Sequence, residues 1–440
     1  MRGTMGMGCC TGGGLRATGL GLLLWMSGLC GAGAQEAFVV ESIRFEGNEV
    51  TRDTVLRQEL LFQEGDPLDR EAVEETRQAL MNLGLFQSVQ ARVETTGEKA
   101  SVVYHLEEKY YFFPLPRLSR TSDGDVRYGG DLRFDNFLGL NQKLRFLLEW
   151  EDAGSDASAE GSRRLDLSYE VPRLPGSAWG VALEVKDEHL NESGADESEH
   201  VPYDETIRRL GVSVSRWLDR RGPSSGWRAG LGVAWEQRRY ERLQVPGPIP
   251  DGARDITWSG SLRYTDVTDL GVRREGVAYG AGLSLGSPAL GSSRGHQSLS
   301  LDYRAYRPLE EGPLPSNLNY RFRLALASGS AFGGEPHSLG GSDQLRGYPR
   351  DYRKGDVLAL LNTEYLRPVL GNPELRAVGF VDVGGVWPRR HVDLSDLHAG
   401  VGVGLRINLK WFVRTNLRLD YAYGIDARES KVYAGTSHTF

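Results

Sequence analysis

The chain has 440 residues, a formal net charge of -7 and a pI near 5.8, which argues against a nucleic-acid binder with a basic face. Mean hydropathy is -0.39, and no stretch beyond the amino terminus approaches the ~20 apolar residues of a spanning helix, so a helical membrane protein is excluded.

Residues 1–34 read as an export signal. Arg2 and Arg16 supply positive charge, Gly19 to Leu29 is a short apolar run, and Ala32-Gly33-Ala34 fits a small-residue cleavage pattern. Cys30 raises a lipoprotein alternative, but Leu29 stands where a small residue is expected. Cleavage after Ala34 would remove Cys9, Cys10 and Cys30 and leave a mature chain without cysteine.

Residues 37–109 read as a small β-α-α-β-β domain. Val40 to Phe45 is a strand ended by Gly47-Asn48. Thr51 can cap a helix with Val55, Leu56, Leu60 and Leu61 on one face, and Asp69 a second with Val73, Thr76, Leu80 and Leu83. Gly84 stands at a left-handed cap, and two alternating strands follow, through Val89, Ala91 and Val93, then Val102, Tyr104 and Leu106. Through Ile43-x-Phe45-x-Gly47-Asn48 and Asn82-Leu83-Gly84-Leu85-Phe86 the segment resembles a POTRA domain.

From Tyr110 to the end the pattern becomes strict alternation. Tyr128, Gly130, Leu132 and Phe134 share one face, opposite Arg127, Asp131, Arg133 and Asp135; Leu165, Leu167, Tyr169 and Val171 alternate with Arg164, Asp166, Ser168 and Glu170. Lipid on one side and water on the other demand this dyad repeat, and only a closed sheet satisfies every backbone group in hydrocarbon. Such runs number about sixteen, an even count, which predicts a mainly β chain with a transmembrane antiparallel β-barrel over 110–440. Short turns (136–139, 171–176, 218–226, 367–373) interleave with longer polar loops such as 187–205 and 237–255, an alternation that a soluble β-sandwich does not explain. Trp150, Trp179, Trp227, Trp235, Tyr303 and Tyr423 are candidates for interfacial girdles. Gly435 and the terminal Phe440 form a partial barrel-end signal, with His438 where another aromatic is usual.

Between the eleventh and twelfth expected strands, the loop 328–356 contains Gly340-Gly341-Ser342-Asp343-Gln344-Leu345-Arg346-Gly347-Tyr348. Glu364 lies on the next strand, and the one after reads Gly379-Phe380-Val381-Asp382-Val383-Gly384-Gly385-Val386-Trp387. Here the chain resembles the BamA/TamA superfamily of outer-membrane assembly and translocation barrels, also called the bacterial surface antigen family. The loop matches the GG-x(4)-RG[YF] element and the strand the F-x-D-x-G-x-x-W element, while 135–139 resembles a further element near the second strand.

The resemblance implies that Arg346, on a loop folded into the lumen, pairs with Asp382, with Glu364 as a second candidate, and that Tyr348 packs against the inner wall. Arg can hold a carboxylate with two bonds, so it fixes the loop better than Lys would. The alternative for Arg346 is a solvated loop charge. Gly400-x-Gly402-x-Gly404 precedes no helix and is not a dinucleotide loop; the His spacings suggest no metal site, and no nucleophile elbow is present. No cofactor and no enzymatic activity are expected.

The resemblance implies insertion or translocation of unfolded or nascent polypeptides at the bacterial outer membrane, with the amino-terminal domain in the periplasm. Clients would be taken by the edge of the POTRA-like domain and by a seam between Phe112–Ser119 and Lys431–Phe440. A single POTRA-like domain, where the central assembly component carries several, points to a stand-alone or specialised role. The alternatives are a passive channel or structural barrel, and a dedicated exporter of a separately encoded partner.

Overall fold

β1 (Val39–Glu46) shows how alternation is bent to fit a core: a bulge between Val40 and Ser42 lets Val40, Ile43 and Phe45 all point inward. The computed structural model describes residues 38–120, 126–152, 161–192, 203–219, 225–242, 251–312, 314–333, 335–413 and 415–436. The expected export signal and Phe440 lie outside them.

After β1 come α1 (Asp53–Arg57), α2 (Arg70–Asn82), β2 (Phe86–Thr96) and β3 (Lys99–Glu108), with sheet order β1-β3-β2. β3 runs parallel to β1 and antiparallel to β2. Asp69 caps α2, accepting from the Glu71 backbone N–H at 2.9 Å. The core is made by Ile43, Leu56, Leu80, Leu85, Phe86 and Tyr104, all buried. Thr51 departs from expectation. The residue flanking α1 is Arg52, with no side-chain cap, and the Thr51 hydroxyl is used elsewhere, as described below.

The rest of the chain forms one sixteen-stranded antiparallel sheet. Its strands are β4 (Phe112–Arg120), β5 (Val126–Phe137), β6 (Gln142–Asp152), β7 (Ser162–Val171), β8 (Trp179–Glu192), β9 (Tyr203–Trp217), β10 (Ser225–Arg242) and β11 (Ala253–Asp269). They continue as β12 (Arg274–Gly286), β13 (His296–Pro308) and β14 (Asn317–Ser328). A two-stranded hairpin, β15 (His337–Leu339) with β16 (Arg353–Gly355), then leaves the sheet. β17 (Val357–Val369), β18 (Asn372–Trp387), β19 (His398–Asn408), β20 (Asn416–Gly424) and β21 (Glu429–Gly435) complete it.

Each strand pairs with the next in this order, β14 directly with β17, so β4 and β21 are the edges. Among the described residues no ladder joins them, yet Arg133 Nη2 of β5 reaches Thr436 Oγ1 beside β21 at 3.5 Å. The ring of Phe113 on β4 also meets that of Phe412, between β19 and β20, at 4.9 Å between centroids. The two edges therefore come together as in a barrel.

Alternation sorts the faces. Leu231, Leu283, Val403 and Val432 point outward and are exposed, whereas Asp131, Asn362, Asp382 and Asp420 point inward and are buried. Outside, Trp227, Tyr264, Tyr279, Tyr303 and Tyr320 form a row of neighbouring rings near the short-turn end, as expected of an interfacial girdle. The strands run beyond the expected limits: β8 extends to Glu192 and β9 begins at Tyr203, where the sequence suggested a loop over 187–205. The same holds for β10 and β11 within 237–255. Polar composition reads as loop, but here it builds cross-strand ion pairs, such as Arg208–Asp187 at 3.1 Å and Arg238–Glu205 at 3.2 Å.

The small α+β domain meets the barrel at the short-turn end. Asn136 Nδ2 donates to Thr51 Oγ1 at 2.8 Å, and the Arg52 N–H to Gly139 O at 3.0 Å. Arg173, between β7 and β8, donates to Gln58 O at 3.1 Å and lies 3.4 Å from Glu59 Oε1. Asn82 Oδ1 accepts from the Asp269 N–H at 2.9 Å. The 135–139 element thus serves as a seat for this domain: Asn136 adopts a left-handed φ of 57° and also accepts from the Asn141 N–H.

Candidate functional site: a lumen loop and its wall

The loop between β14 and β17 turns back into the barrel. Leu339, Leu345 and Tyr348 are fully buried against Ala325, Leu358 and Leu360, a small apolar core built inside the lumen. This burial takes Arg346 with it, to 0 % exposure. A guanidinium so placed needs acceptors for its donors and a counter-charge, or it costs several kcal/mol.

The wall supplies both. Arg346 Nε and Nη2 donate to Asp382 Oδ2 and Oδ1 at 2.7 and 2.8 Å, a two-pronged contact. Nη1 donates to Glu364 Oε1 at 2.6 Å and to Asp420 Oδ2 at 3.4 Å. The guanidinium carbon lies 3.5 Å from the ring centroid of Phe380. Asp382 is held in turn by Asn362 Nδ2 at 2.8 Å, which also donates to Gln344 O of the loop. Arg406 balances the remaining acids, bonding Glu364 Oε1 at 2.8 Å and the carboxylate of Asp420. Two guanidinium groups and three carboxylates thus form one buried cluster spanning β17, β18, β19, β20 and the loop.

The other residues singled out in the sequence surround it. Gly347 has φ +93, and a Cβ there would come within 2.4 Å of Gly424 N, so only glycine lets the loop backbone touch β20. Gly340 and Gly341 also take left-handed φ, where the loop doubles back beside Pro349 and Arg350. Gly384 makes room for Leu339 and Leu360, and Trp387 is buried at the end of β18. The Tyr348 hydroxyl donates to Ala399 O at 2.9 Å and also contacts Asp426 between β20 and β21. Gly435 ends β21 with no close neighbour to demand glycine.

Several participants carry no sequence signal of their own. Arg406 and Asp420 look like any inward charges on alternating strands. Tyr433 on β21 accepts from the Gly347 N–H at 3.2 Å and donates to Tyr348 O at 3.3 Å, tying an edge strand to the loop. Arg418 reaches Asp343 Oδ1 at 2.9 Å. The glycine run of β19 has its use here. A Cβ at Gly400 would lie 2.0 Å from Arg346 O, one at Gly402 would strike the Phe380 ring, and one at Gly404 would strike Asp420. These glycines form the groove in which loop and cluster lie.

Outside the membrane, Glu59 is the carboxyl most altered by its surroundings. Burial pushes its pKa from 4.5 up to about 8, opposed by the nearby Arg173 cation. The two influences conflict; burial prevails, because Arg173 touches only Oε1 at a long 3.4 Å while Oε2 has no partner.

Comparison with known proteins agrees with this architecture. Residues 38–109 match the POTRA family, described as a surface antigen variable number repeat, and residues 136–440 match the Omp85 superfamily domain. The outer membrane protein assembly factor BamA of Neorickettsia risticii (strain Illinois) is 28% identical over 127 residues, which are 28% of this chain and 17% of that protein, so the match spans under a fifth of that relative. BamA of Haemophilus ducreyi lacking POTRA domains 1–3 has a TM-score of 0.52 at 19% identity, over 91% of this chain and 85% of that one. CdiB of Acinetobacter baumannii has a TM-score of 0.61 at 15% identity, over 90% and 73%. CdiB of Escherichia coli has the same score and identity, over 92% and 75%. At these identities the solved structures speak to the fold. With its barrel matched from the second strand to the end, the chain belongs to the Omp85 superfamily of outer-membrane β-barrels.

Proposed function

We propose that this protein inserts polypeptides into the outer membrane or passes them across it, and that the seam between β4 and β21 is where clients engage. The observation that supports this reading is the pair of sheet edges: among the described residues every neighbouring pair of strands is joined by a ladder and none joins β4 to β21, while Arg133 of β5 reaches Thr436 just past β21. Unpaired strand edges are templates for an incoming strand. β21 is also tied to the lumen loop through Tyr433.

A second edge lies in the periplasmic domain. The outer side of β1 is already bonded by residues 65–68, through Val40 N–H to Asp66 O and Leu68 N–H to Phe38 O. β2 keeps its outer edge, so client capture by strand addition would occur along β2. The BamA relative, by its name, is an assembly factor. The cluster around Arg346 then acts as a positioning device that keeps the loop seated beside the seam.

The test places a photo-crosslinking residue at Val432, outward on β21, with a control at Leu283, outward on β12. Crosslinks to several polypeptides at Val432 and none at Leu283 are expected. A single recurrent polypeptide would instead indicate a dedicated exporter. Silence at both sites, in a folded barrel that conducts ions, would replace the reading with a passive channel.

A further inference from the structure

We propose that a cavity inside the periplasmic mouth of the barrel binds the carboxylate end of a polypeptide, with Arg376 as its cation; this rests on the polypeptide-client reading above. The cavity holds about 90 Å³ and lies at the short-turn ends of β12, β14, β18, β19 and β20. Arg376 lines it at 6 % exposure. Its Nη2 donates to Pro315 O at 2.8 Å, its Nε has no partner, and no carboxylate pairs with it among the described residues.

The neighbouring cations are matched. Arg273 is held by Glu275 at 2.6 Å, and Arg406 by Glu364 and Asp420. Arg376 is therefore a buried positive charge left over, a state that costs several kcal/mol unless an anion arrives. Water can meet the open hydrogen bonds but not the charge.

Two unmet acceptors face the same space. Glu374 Oε2, two residues before Arg376 on the same face of β18, has no partner, nor does Asn317 Oδ1, whose Nδ2 is spent on Arg274 O. Phosphate would also meet Arg376, but its charge of up to two is repelled by Glu374 more strongly than the single charge of a carboxylate, and in that form its one P–O–H must serve two acceptors. The last residue of a polypeptide carries what is missing on both sides, an α-carboxylate for the guanidinium and an adjacent main-chain N–H for an acceptor. The volume suits the backbone of one small residue, with the preceding chain leading out toward the periplasm.

The experiment uses the full chain in lipid nanodiscs and titrates three probes by calorimetry: a tetrapeptide Gly-Ser-Gly-Ala with a free carboxylate, its C-terminal amide, and inorganic phosphate. The free acid is expected to bind at least about tenfold more tightly than the amide, the size of one charge-assisted contact. Phosphate should not compete. Arg376→Gln should erase the acid–amide difference, and Glu374→Gln should admit phosphate while keeping the peptide. Folding of each variant is checked by its heat-modified mobility in detergent gels. Equal binding of acid and amide, or phosphate binding to the wild-type chain as well as the acid, would overturn the proposal. Seam crosslinks at Val432 without any acid preference would sink this site alone, whereas silence at Val432 would sink the client reading itself.

Discussion

Replacing Arg346 with alanine removes one cation from the buried cluster, and the remaining contacts set the cost. Glu364 and Asp420 keep Arg406. Asp382 keeps only Asn362 Nδ2 and the residue 346 N–H, while losing both arms of the guanidinium. One fully buried carboxylate is left without its counter-charge, which destabilises by about 3–5 kcal/mol. Guanidinium unfolding in detergent, followed by the fluorescence of the barrel's tryptophans, measures the loss. The double variant Arg346→Ala/Asp382→Asn should recover part of it, with a coupling of about 2 kcal/mol or more. The half-exposed pair Lys143–Glu170 is the comparison and should couple by less than about 1 kcal/mol. A coupling for Arg346 and Asp382 no larger than that would refute the picture of a loop locked by a buried charge cluster.

Three further outcomes follow from the geometry. Tyr433→Phe keeps the ring but removes both bonds to the loop, so amide exchange over residues 429–435 should quicken, with about 0.5–1.5 kcal/mol lost per bond. Gly400→Ala should free the loop to protease between 330 and 350, because its Cβ meets Arg346 O, whereas Gly379→Ala, with nothing within 4 Å, should not. Glu59 links docking to pH: its carboxyl keeps its proton in the folded chain up to about pH 8, while the unfolded chain releases it near 4.5. Stability is then complete below 4.5, declines as pH rises toward 8 and levels off above it; Glu59→Gln should flatten the unfolding midpoint across that window.

Strand number, loop position and the order of the elements were legible because they rest on periodicity, which the membrane enforces over the whole wall. Arg346, Asp382 and Glu364 could be named because family motifs surround them, and the structure brings the three together. Arg406 and Asp420 were illegible for the opposite reason: a charge on every second residue is what any water-facing strand shows. The β19 glycines looked like strand filler, since what crowds them lies on other elements: Gly400 meets a loop more than fifty residues upstream, Gly402 the Phe380 ring and Gly404 the Asp420 carboxylate. Thr51 fits a helix cap by local rules, but its hydroxyl meets Asn136, 85 residues away. Polar stretches such as 187–205 misled because charge paired across a ladder resembles charge in a loop.

The separation of the loop's partners along the chain has a consequence for how the barrel is made. Arg346 meets β17 and β18 at separations of 18 and 36 residues, but β20 and β21 contact the loop only across 74 to 86. Contacts between near segments cost less chain entropy and form sooner. The loop and its first two wall strands can therefore condense before the last hairpin exists, leaving a finished surface of glycine, tyrosine and paired charge. The final strands then fold against that mould. The last edge of the sheet is thus laid down late, and it is shaped by the protein's own interior.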